Sequence, residues 1–319
     1  MKVYLGIDAG SVTTKLAVLD ENNELVTYTY LLTQGKPIDM VQQGLKQIKQ
    51  QSPEDVDICG VATTGSARYL AGVIVGADLV KNEITSHAVA TLQHIPQVQT
   101  IIEIGGQDSK IIIIRDGIVT DFGMNTVCAA GTGSFLDHQA LRLDMSIEEF
   151  SQRALNSNTP VRIAGRCTVF AESDMIHKQQ VGYRTEDIVY GLCQALVRNY
   201  LNNVGLGKDI KPLIVFQGGV AFNQGIVKAL QEELNTEIIV PPHHEVMGAI
   251  GVALLVHEEI ANNRSKFKGF DVSEVKYHTS SFECKACPNQ CEIAQLALNG
   301  QVLARWGGRC DIWEGSPSS

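Results

Sequence analysis

The sequence predicts an α/β protein built from two related lobes and a small C-terminal module. The strongest sign is a repeat: the stretch DAGSVTTKLAVLD that begins at Asp8 and the stretch EIGGQDSKIIIIRD that begins at Glu103 align without a gap at their informative positions. The length of 319 residues also favours two lobes, because a single hydrophobic core rarely grows beyond about 300 residues. Four cysteines fall together after position 283, which indicates a separate module.

The predicted boundaries follow the repeat and the changes in composition. The first lobe spans residues 1–95 and is completed by a closing helix over 246–262, while the second lobe spans 96–245 and carries two further cysteines of interest. Polar, charged composition predicts a linker over 263–280, and the four-cysteine module follows over 281–319.

Composition and charge exclude several classes of protein. A net charge of −9 without a block of Lys or Arg argues against nucleic-acid and anionic-membrane binding. Apolar runs such as residues 111–114 are strand-length, far below the roughly 20 residues of a membrane span. The first residues lack the features of a signal peptide, so we expect a cytoplasmic protein. Thiols stay reduced in the cytoplasm, so clustered cysteines indicate metal binding or a redox function.

Each copy of the repeat predicts a β-hairpin whose glycine-containing turn exposes backbone N–H groups. Such a turn can hold phosphate oxygens, and two facing copies would place two N–H loops and an acidic group around one triphosphate. The alternative is a pair of ordinary hairpins, which the duplication disfavours. The aligned pairs are Asp8 and Glu103, Gly10 and Gly105, and Lys15 and Lys110.

Two more glycine clusters follow along the chain. Gly218 and Gly219, with Asn223 shortly after, predict a strand-to-helix turn that can approach a ligand closely. Met247 and Gly248 open a predicted helix of small residues. A nucleotide contact and close helix packing explain these small residues equally well. The order and spacing of all four clusters resemble the sugar-kinase, heat-shock ATPase and actin superfamily. That resemblance implies two RNase-H-like lobes with ATP in the cleft between them.

Chemistry assigns roles to the two hairpins. Asp8 is predicted to supply an oxygen for hydrated Mg²⁺, which prefers carboxylate together with substrate phosphate. Either Gln107 or Asp108 is predicted to orient the attacking water, and the sequence leaves that choice open. The predicted phosphate-binding residues are Gly10, Ser11, Val12, Thr13, Thr14, Lys15, Gly105 and Gly106.

Two cysteines stand directly before predicted helices, Cys128 in NTVCAAGTGSF and Cys167 in GRCTVFAES. A helix N-terminus stabilises the thiolate, which is the form that binds metal. Two thiols are too few for a [4Fe–4S] cluster, but a twofold dimer would supply four. The alternative is that both are buried structural cysteines, as we expect for Cys59 and Cys193.

Six motifs closely resemble the ATP-dependent activators of 2-hydroxyacyl-CoA dehydratases, relatives of the benzoyl-CoA reductase ATPase subunits. The resemblance covers approximately residues 1–260 and is carried by GIDAGSVTTK, EIGGQDSK, NTVCAAGTGSFLD, CTVFAESDMI, GGVAFNQG and GAIGVAL. It implies that Cys128 and Cys167 bind one [4Fe–4S] cluster shared across a homodimer. The nucleotide contacts that it implies on the same segments are Gly131, Thr132, Gly133 and Glu172.

The function that this resemblance implies is an ATP-driven electron-transfer reductase component. A reduced ferredoxin or flavodoxin would charge the shared cluster, and ATP hydrolysis would drive single low-potential electrons into the iron–sulfur cluster of a partner enzyme. The alternative is a small-molecule kinase of the same superfamily, in which Asp108 would act as a base toward a sugar hydroxyl and the cysteines would be incidental.

The C-terminal module contains Cys284, Cys287 and Cys291, then an Asn-Gly turn between alternating apolar segments, then Cys310. The turn predicts a hairpin that folds Cys310 back toward the other three. Four thiols on a segment too small for its own core predict a structural zinc ion, with a second iron–sulfur cluster as the alternative. The simplest dehydratase activators lack this extension. The family member that this chain resembles could therefore also be a reductase of double-cubane cluster proteins.

Overall fold

The computed structural model describes most of the chain, namely residues 1–53, 55–125, 127–260, 263–310 and 312–313. The chain divides into two compact units. The first comprises Met1–Ser86 and Gly248–Ser319, and the second comprises His87–Met247. None of the described helices combines the length and the apolar composition needed to cross a membrane.

The strands form two five-stranded sheets and one three-stranded sheet. They are β1 Lys2–Ala9, β2 Thr13–Asp20, β3 Leu25–Leu32, β4 Asp57–Thr64, β5 Leu79–Val80, β6 Thr100–Ile104, β7 Ser109–Arg115, β8 Ile118–Asn125, β9 Ile214–Gln217, β10 Ile238–Ile239, β11 His278–Glu283, β12 Glu292–Leu298 and β13 Gln301–Trp306.

The helices lie between and after these strands. They are α1 Pro37–Gln51, α2 Arg68–Val75, α3 Glu83–His94, α4 Gly133–Arg142, α5 Ile147–Leu155, α6 Thr168–Gln180, α7 Thr185–Tyr200, α8 Gln224–Leu234 and α9 Met247–Ile260. A π-helical turn, Leu201–Gly205, continues α7. The α1 helix illustrates the local cause: proline fits its first position, and Val41, Leu45 and Ile48 repeat at helical spacing to face the core.

The two large sheets have the same topology. The first runs β3-β2-β1-β4-β5 and the second runs β8-β7-β6-β9-β10. In each, three antiparallel strands joined by hairpins are followed by two parallel strands. The repeat seen in the sequence is therefore a repeat of a whole sheet, and the predicted α/β class with two related halves is confirmed.

Each unit has its own hydrophobic core. In the second unit, α7 is the central element, with Ile188, Leu192 and Leu196 fully buried against the sheet strands and α8. In the first unit, apolar side chains of β1 and β2 pack against α1 and α2. Within each unit, the core holds the turns at the strand ends in fixed positions.

The C-terminal sheet packs on the first unit. Leu296, Leu303 and Trp306 contribute to the same apolar cluster as the strands of the first sheet. Asn299 and Gly300 both have positive φ, 51° and 83°, and form the tight turn between β12 and β13 that the Asn-Gly pair predicts. The hairpin prediction is confirmed, but the module does not depend on a core of its own, because it shares the core of the first unit.

The segment predicted to be a linker, 263–280, is packed rather than free. Ser265 Oγ and the Lys266 N–H group both donate to the Asp78 carboxylate, at 2.6 and 2.7 Å. The Lys268 N–H group donates to the Val75 carbonyl at 2.9 Å, and β11 begins at residue 278. Polar composition thus also suits a surface segment that is hydrogen-bonded to its neighbours, and the linker assignment stays a prediction.

Candidate functional site

The first hairpin places Asp8 and Lys15 opposite each other on β1 and β2. Lys15 Nζ lies 3.0 Å from Asp8 Oδ2, and the carboxylate is 4% exposed. The turn between them closes through a hydrogen bond from the Gly10 N–H group to the Thr13 carbonyl at 3.0 Å. A buried carboxylate next to a lysine, at the edge of a glycine turn, can hold a cation and the phosphate that the cation accompanies.

The second hairpin repeats this arrangement with one added carboxylate. Glu103 and Lys110 face each other on β6 and β7, with 3.0 Å between Lys110 Nζ and Glu103 Oε2. The turn closes through the same bond, from the Gly105 N–H group to the Asp108 carbonyl at 3.0 Å. Lys110 Nζ also lies 2.8 Å from Asp108 Oδ2, whereas Gln107 is exposed. The Asp108 carboxylate is occupied by this ion pair while Gln107 is exposed, so Gln107 is the better candidate for orienting water.

The third glycine cluster lies where β9 ends. Gly218 has φ +92°, and a Cβ atom there would lie 2.8 Å from Glu103 Oε1, so a side chain would collide with that carboxylate. Asn223 caps α8 through a bond from the Ile226 N–H group at 3.2 Å, and its Nδ2 atom is buried without a partner among the described residues. Met247, the first residue of α9, is fully buried.

The sequence analysis missed the equivalent turn in the first unit. Gly65 follows β4 with φ +93°, and a Cβ atom there would lie 2.6 Å from Asp8 Oδ1. The available signal was the glycine that ends the apolar stretch ICGVATTG, as Gly218 ends LIVFQG. A single glycine without a neighbouring glycine is a weak indication, and only the strand pairing shows that the two turns correspond.

The Cys128 segment is joined directly to the second hairpin. Asn125 holds the backbone of Cys128, since its Oδ1 accepts the Cys128 N–H group at 2.9 Å and its Nδ2 donates to the Cys128 carbonyl at 2.8 Å. The N–H groups of Gly133 and Ser134, which open α4, donate to the carbonyls of the hairpin turn at Gly105 and Gly106, both at 2.8 Å. Only four residues, 129–132, therefore separate Cys128 from a residue that contacts the predicted phosphate turn.

Cys167 directly precedes α6, whereas Cys128 precedes a 3-10 turn, Ala129–Gly131, and α4 begins only at Gly133. The Cys167 backbone is extended, its carbonyl accepts the Ala171 N–H group, and its side chain makes no capping hydrogen bond within the described part of the chain. Glu172 joins α6 to α4, because its carboxylate lies 3.1 Å from His138 Nε2 and 2.7 Å from Arg142. Among the described contacts, Glu172 thus connects the helices that follow the two cysteines.

A second connection between the cysteine segments runs through Asn199 near the end of α7, which is 3% exposed. Its Nδ2 donates to the carbonyl of Gly165, two residues before Cys167. Its Oδ1 also lies close to Gly131, three residues after Cys128: a Cβ atom added to Gly131 would be only 2.9 Å from that oxygen. Sequence analysis did not identify Asn125 or Asn199, since single asparagines carry no spacing signal.

Cysteine environments separate the candidate ligands from the core. Cys128 and Cys167 are partly exposed, whereas Cys193 is fully buried and burial raises the pKa of its thiol. Cys59 is partly buried against an apolar cluster, and desolvation raises its pKa as well. Large apolar side chains next to both candidate ligands are exposed, namely Val127, Val169 and Phe170. Unpartnered apolar side chains of this kind are typical of surfaces that another chain covers.

Two of the C-terminal cysteines, Cys284 and Cys291, are joined through their backbones beside the three-stranded sheet. The Cys284 N–H group donates to the Cys291 carbonyl at 2.8 Å. Cys284 Sγ accepts from the Ala286 N–H group at 3.5 Å and from Trp313 Nε1 at 3.1 Å. Cys287 and Cys310 are exposed, and no three His, Cys, Asp or Glu side chains in the described parts of the chain are arranged to hold a metal ion. The zinc or second-cluster assignment stays a prediction.

A family model described as the BadF/BadG/BcrA/BcrD ATPase family matches residues 5–256, which is most of the chain. The chain belongs to this ATPase family. The match ends within α9, so the packed segment and the three-stranded sheet that follow lie outside it.

Individual members of this ATPase family are similar over nearly their whole length. The (R)-2-hydroxyglutaryl-CoA dehydratase activating ATPase of Acidaminococcus fermentans is 34% identical over 267 residues, 82% of this chain and 100% of the relative. The activator of lactoyl-CoA dehydratase of Anaerotignum propionicum is 34% identical over 259 residues, 80% of this chain and 97% of the relative. These similarities confirm the resemblance that the motifs indicate.

A solved structure agrees. The activator of the 2-hydroxyisocaproyl-CoA dehydratase from Clostridium difficile, with bound ADPNP, shares 34% sequence identity and has a TM-score of 0.71. The similarity covers 81% of this chain and 95% of that one. The fold of the present chain is therefore that of an activator ATPase.

Proposed function

We propose that this protein is an ATP-driven activator: a homodimer that hydrolyses ATP and passes single low-potential electrons from a shared [4Fe–4S] cluster to an iron–sulfur partner enzyme. The observation that carries the proposal is the pair of hydrogen bonds from Gly133 and Ser134 to the turn of the second hairpin. They attach the Cys128 segment to a predicted phosphate-binding turn. A change at the phosphate would then reach the thiol through these hydrogen bonds and the short backbone segment from Gly133 to Cys128.

The nucleotide would be held by the two hairpins and the Gly218 turn. Asp8 would hold Mg²⁺ on the phosphates, Lys15 would offset phosphate charge, and Gln107 would orient the attacking water. These assignments are supported by family membership and by the similarity to the solved activator structure with bound ADPNP.

The residues fit a shared cluster. Cys128 and Cys167 are partly exposed, begin helical segments, and use their side chains for no capping bond among the described contacts. A [4Fe–4S] cluster needs four cysteine ligands, which two copies of the chain would supply. The cluster would supply one-electron redox chemistry at low potential. The exposed Val127, Val169 and Phe170 would be covered in the homodimer.

The partner enzyme is proposed from the relatives, which are named as activators of dehydratases that act on 2-hydroxyacyl-CoA substrates. The electron donor would be a ferredoxin or flavodoxin. A cavity of about 730 Å³ beside Cys167 supports an acidic donor, because it carries four cationic side chains against one carboxylate, in a chain whose net charge is −9. The cationic residues are Arg162, Arg166, Lys178 and Arg198.

The test is iron and sulfide per dimer after anaerobic purification, with the dimer mass and the ATPase rate measured on the same sample. About four irons per dimer are expected. In Cys128→Ser and Cys167→Ser the iron should be lost while nucleotide binding remains, since neither thiol is needed for the hairpins. Cys59→Ser is the matched control and should keep full iron, because Cys59 lies in the first unit, against its core.

Full iron in Cys128→Ser would refute the shared cluster. A colourless wild-type protein that phosphorylates a small molecule would instead support the kinase alternative. A protein with neither iron after cluster reconstitution nor ATPase activity would contradict both.

A further inference from the structure

The hydroxyl of Thr64 is buried without a hydrogen-bond partner among the described residues. Thr64 ends β4 and is fully buried, and its Oγ1 atom contacts no donor or acceptor in the described parts of the chain. Burying a polar group in this way costs free energy, so native proteins rarely do it without a reason. A functional reason is suggested by the neighbour across the sheet.

That neighbour is Asp8. In the parallel pairing of β1 with β4, Asp8 lies side by side with Thr64. Residues paired in this way point to the same face of a sheet, so the hydroxyl and the carboxylate share one face. Gly65, the next residue, approaches the same carboxylate so closely that a Cβ atom would lie 2.6 Å from Asp8 Oδ1. The end of β4 is therefore built around the Asp8 carboxylate.

The second unit provides the comparison. Gln217 ends β9 and lies side by side with Glu103, as Thr64 does with Asp8. Gln217 is buried too, but it is held within its own unit: its Oε1 accepts from Thr91 Oγ1 at 3.0 Å, and its Nε2 lies 2.9 Å from His87 Nδ1. Equivalent backbone positions thus carry an amide with a contact at both polar atoms in one unit and, in the other, a hydroxyl with no hydrogen-bond partner among the described residues.

We propose that Thr64 Oγ1 hydrogen-bonds a water molecule in the hydration shell of the divalent cation that Asp8 holds, which makes Thr64 a positioning residue for the metal. The inference rests on the proposed function. Mg²⁺ on a nucleotide keeps several of its water molecules, and these need acceptors and donors on the protein. A neutral hydroxyl can orient such a water without adding charge to the site.

The variant that tests this is Thr64→Val, which keeps the shape and removes the hydroxyl. Binding of Mn²⁺ to the complete holoprotein, with a non-hydrolysable ATP analogue present, is followed by electron paramagnetic resonance under anaerobic conditions. The apparent Mn²⁺ affinity is expected to fall about 10-fold, the lower end of the effect of removing an outer-shell partner. Affinity for the analogue without metal is expected to stay the same. Thr64→Ser should restore Mn²⁺ binding.

Thr29→Val is the matched control. Thr29 Oγ1 is also buried and unbonded among the described residues, but it lies on β3, which β2 separates from β1. Both valine variants should keep or raise thermal stability, since each removes an unbonded hydroxyl. Only Thr64→Val should weaken Mn²⁺ binding. Equal Mn²⁺ affinity in Thr64→Val and wild type, or an equal loss in Thr29→Val, would overturn the inference.

The failure of the inference and the failure of the proposed function give different results. If the wild-type protein binds the analogue and Mn²⁺ together and Thr64→Val does so equally well, only the role of Thr64 is wrong. If the wild-type protein binds the analogue neither with nor without Mn²⁺, the proposed function and the role of Thr64 are both wrong.

Discussion

The two hairpins share a backbone and differ in what surrounds their turns. In the first, the turn carbonyl of Gly10 accepts a hydrogen bond from Thr33 Oγ1 at 2.9 Å. Thr33 directly follows β3, a strand of the same sheet. In the second, the turn carbonyls of Gly105 and Gly106 accept from the residues that open α4. The first turn is therefore closed by its own sheet, while the second is bonded to the segment that carries Cys128.

The lysine–carboxylate ion pairs of the two hairpins also differ. Lys15 meets Asp8, whereas Lys110 meets both Glu103 and Asp108 and is almost completely buried. A lysine between two carboxylates suits a rigid structural centre. The Asp8 carboxylate beside Lys15 lies at the edge of the glycine turn, where it can hold a cation. We infer that duplication produced one hairpin specialised for metal and phosphate, and a second specialised for connecting the nucleotide to the cysteines.

The largest expected effect comes from replacing the two lysines. Lys110→Met leaves the buried Glu103 carboxylate without this lysine and close to the partly exposed Asp108 carboxylate, and breaking a buried ion pair in this way costs about 3–5 kcal/mol. Lys15→Met should cost less stability and instead weaken nucleotide binding. Urea unfolding followed by circular dichroism, with nucleotide affinity measured in parallel, compares them. Equal losses of stability in both variants would contradict the division of roles between the hairpins.

Replacing the carboxylates sharpens the same comparison. Asp8→Ala should lower Mg²⁺-dependent ATP turnover about 100-fold, the usual effect of removing one electrostatic contact to the transition state. Its iron content should not change. Glu103→Ala should mainly lose stability, because Glu103 holds Lys110. Undiminished turnover in Asp8→Ala would refute the role of Asp8.

Much of this arrangement could be predicted from the sequence, because it depends on local patterns. The alignment of Asp8 with Glu103 corresponds to equivalent cross-strand positions, and the Asn299-Gly300 turn has the predicted conformation. The contacts that depend on strand pairing could not be predicted. Thr64 is informative only because it lies beside Asp8, and Asn199 only because α7 brings it to the Gly165 segment, and neither relation leaves a periodic signal.

A smaller effect should separate the two turns. Ser134→Ala removes a hydroxyl that donates to Gly106, and Thr33→Val removes the one that donates to Gly10. Losing such a hydrogen bond costs about 1 kcal/mol, which corresponds to roughly a five-fold change in an equilibrium constant. The measurement is the rate at which a chelator removes iron, with and without ATP. Ser134→Ala should reduce the ATP dependence of that rate by about this factor, and Thr33→Val should leave it unchanged. The reverse result would assign the connection to the first hairpin.

The smallest effect on either hairpin is expected from the C-terminal thiols, because their sheet contacts the first unit through its apolar face rather than through the turns. If these thiols bind zinc, Cys284→Ser should lower zinc by one equivalent per chain and leave iron and ATP turnover unchanged. Trp313, whose Nε1 donates to Cys284 Sγ, provides a fluorescence signal for the same event. Loss of about four irons per chain in this variant would instead identify a second cluster, and the C-terminal sheet would then be an entry point for electrons.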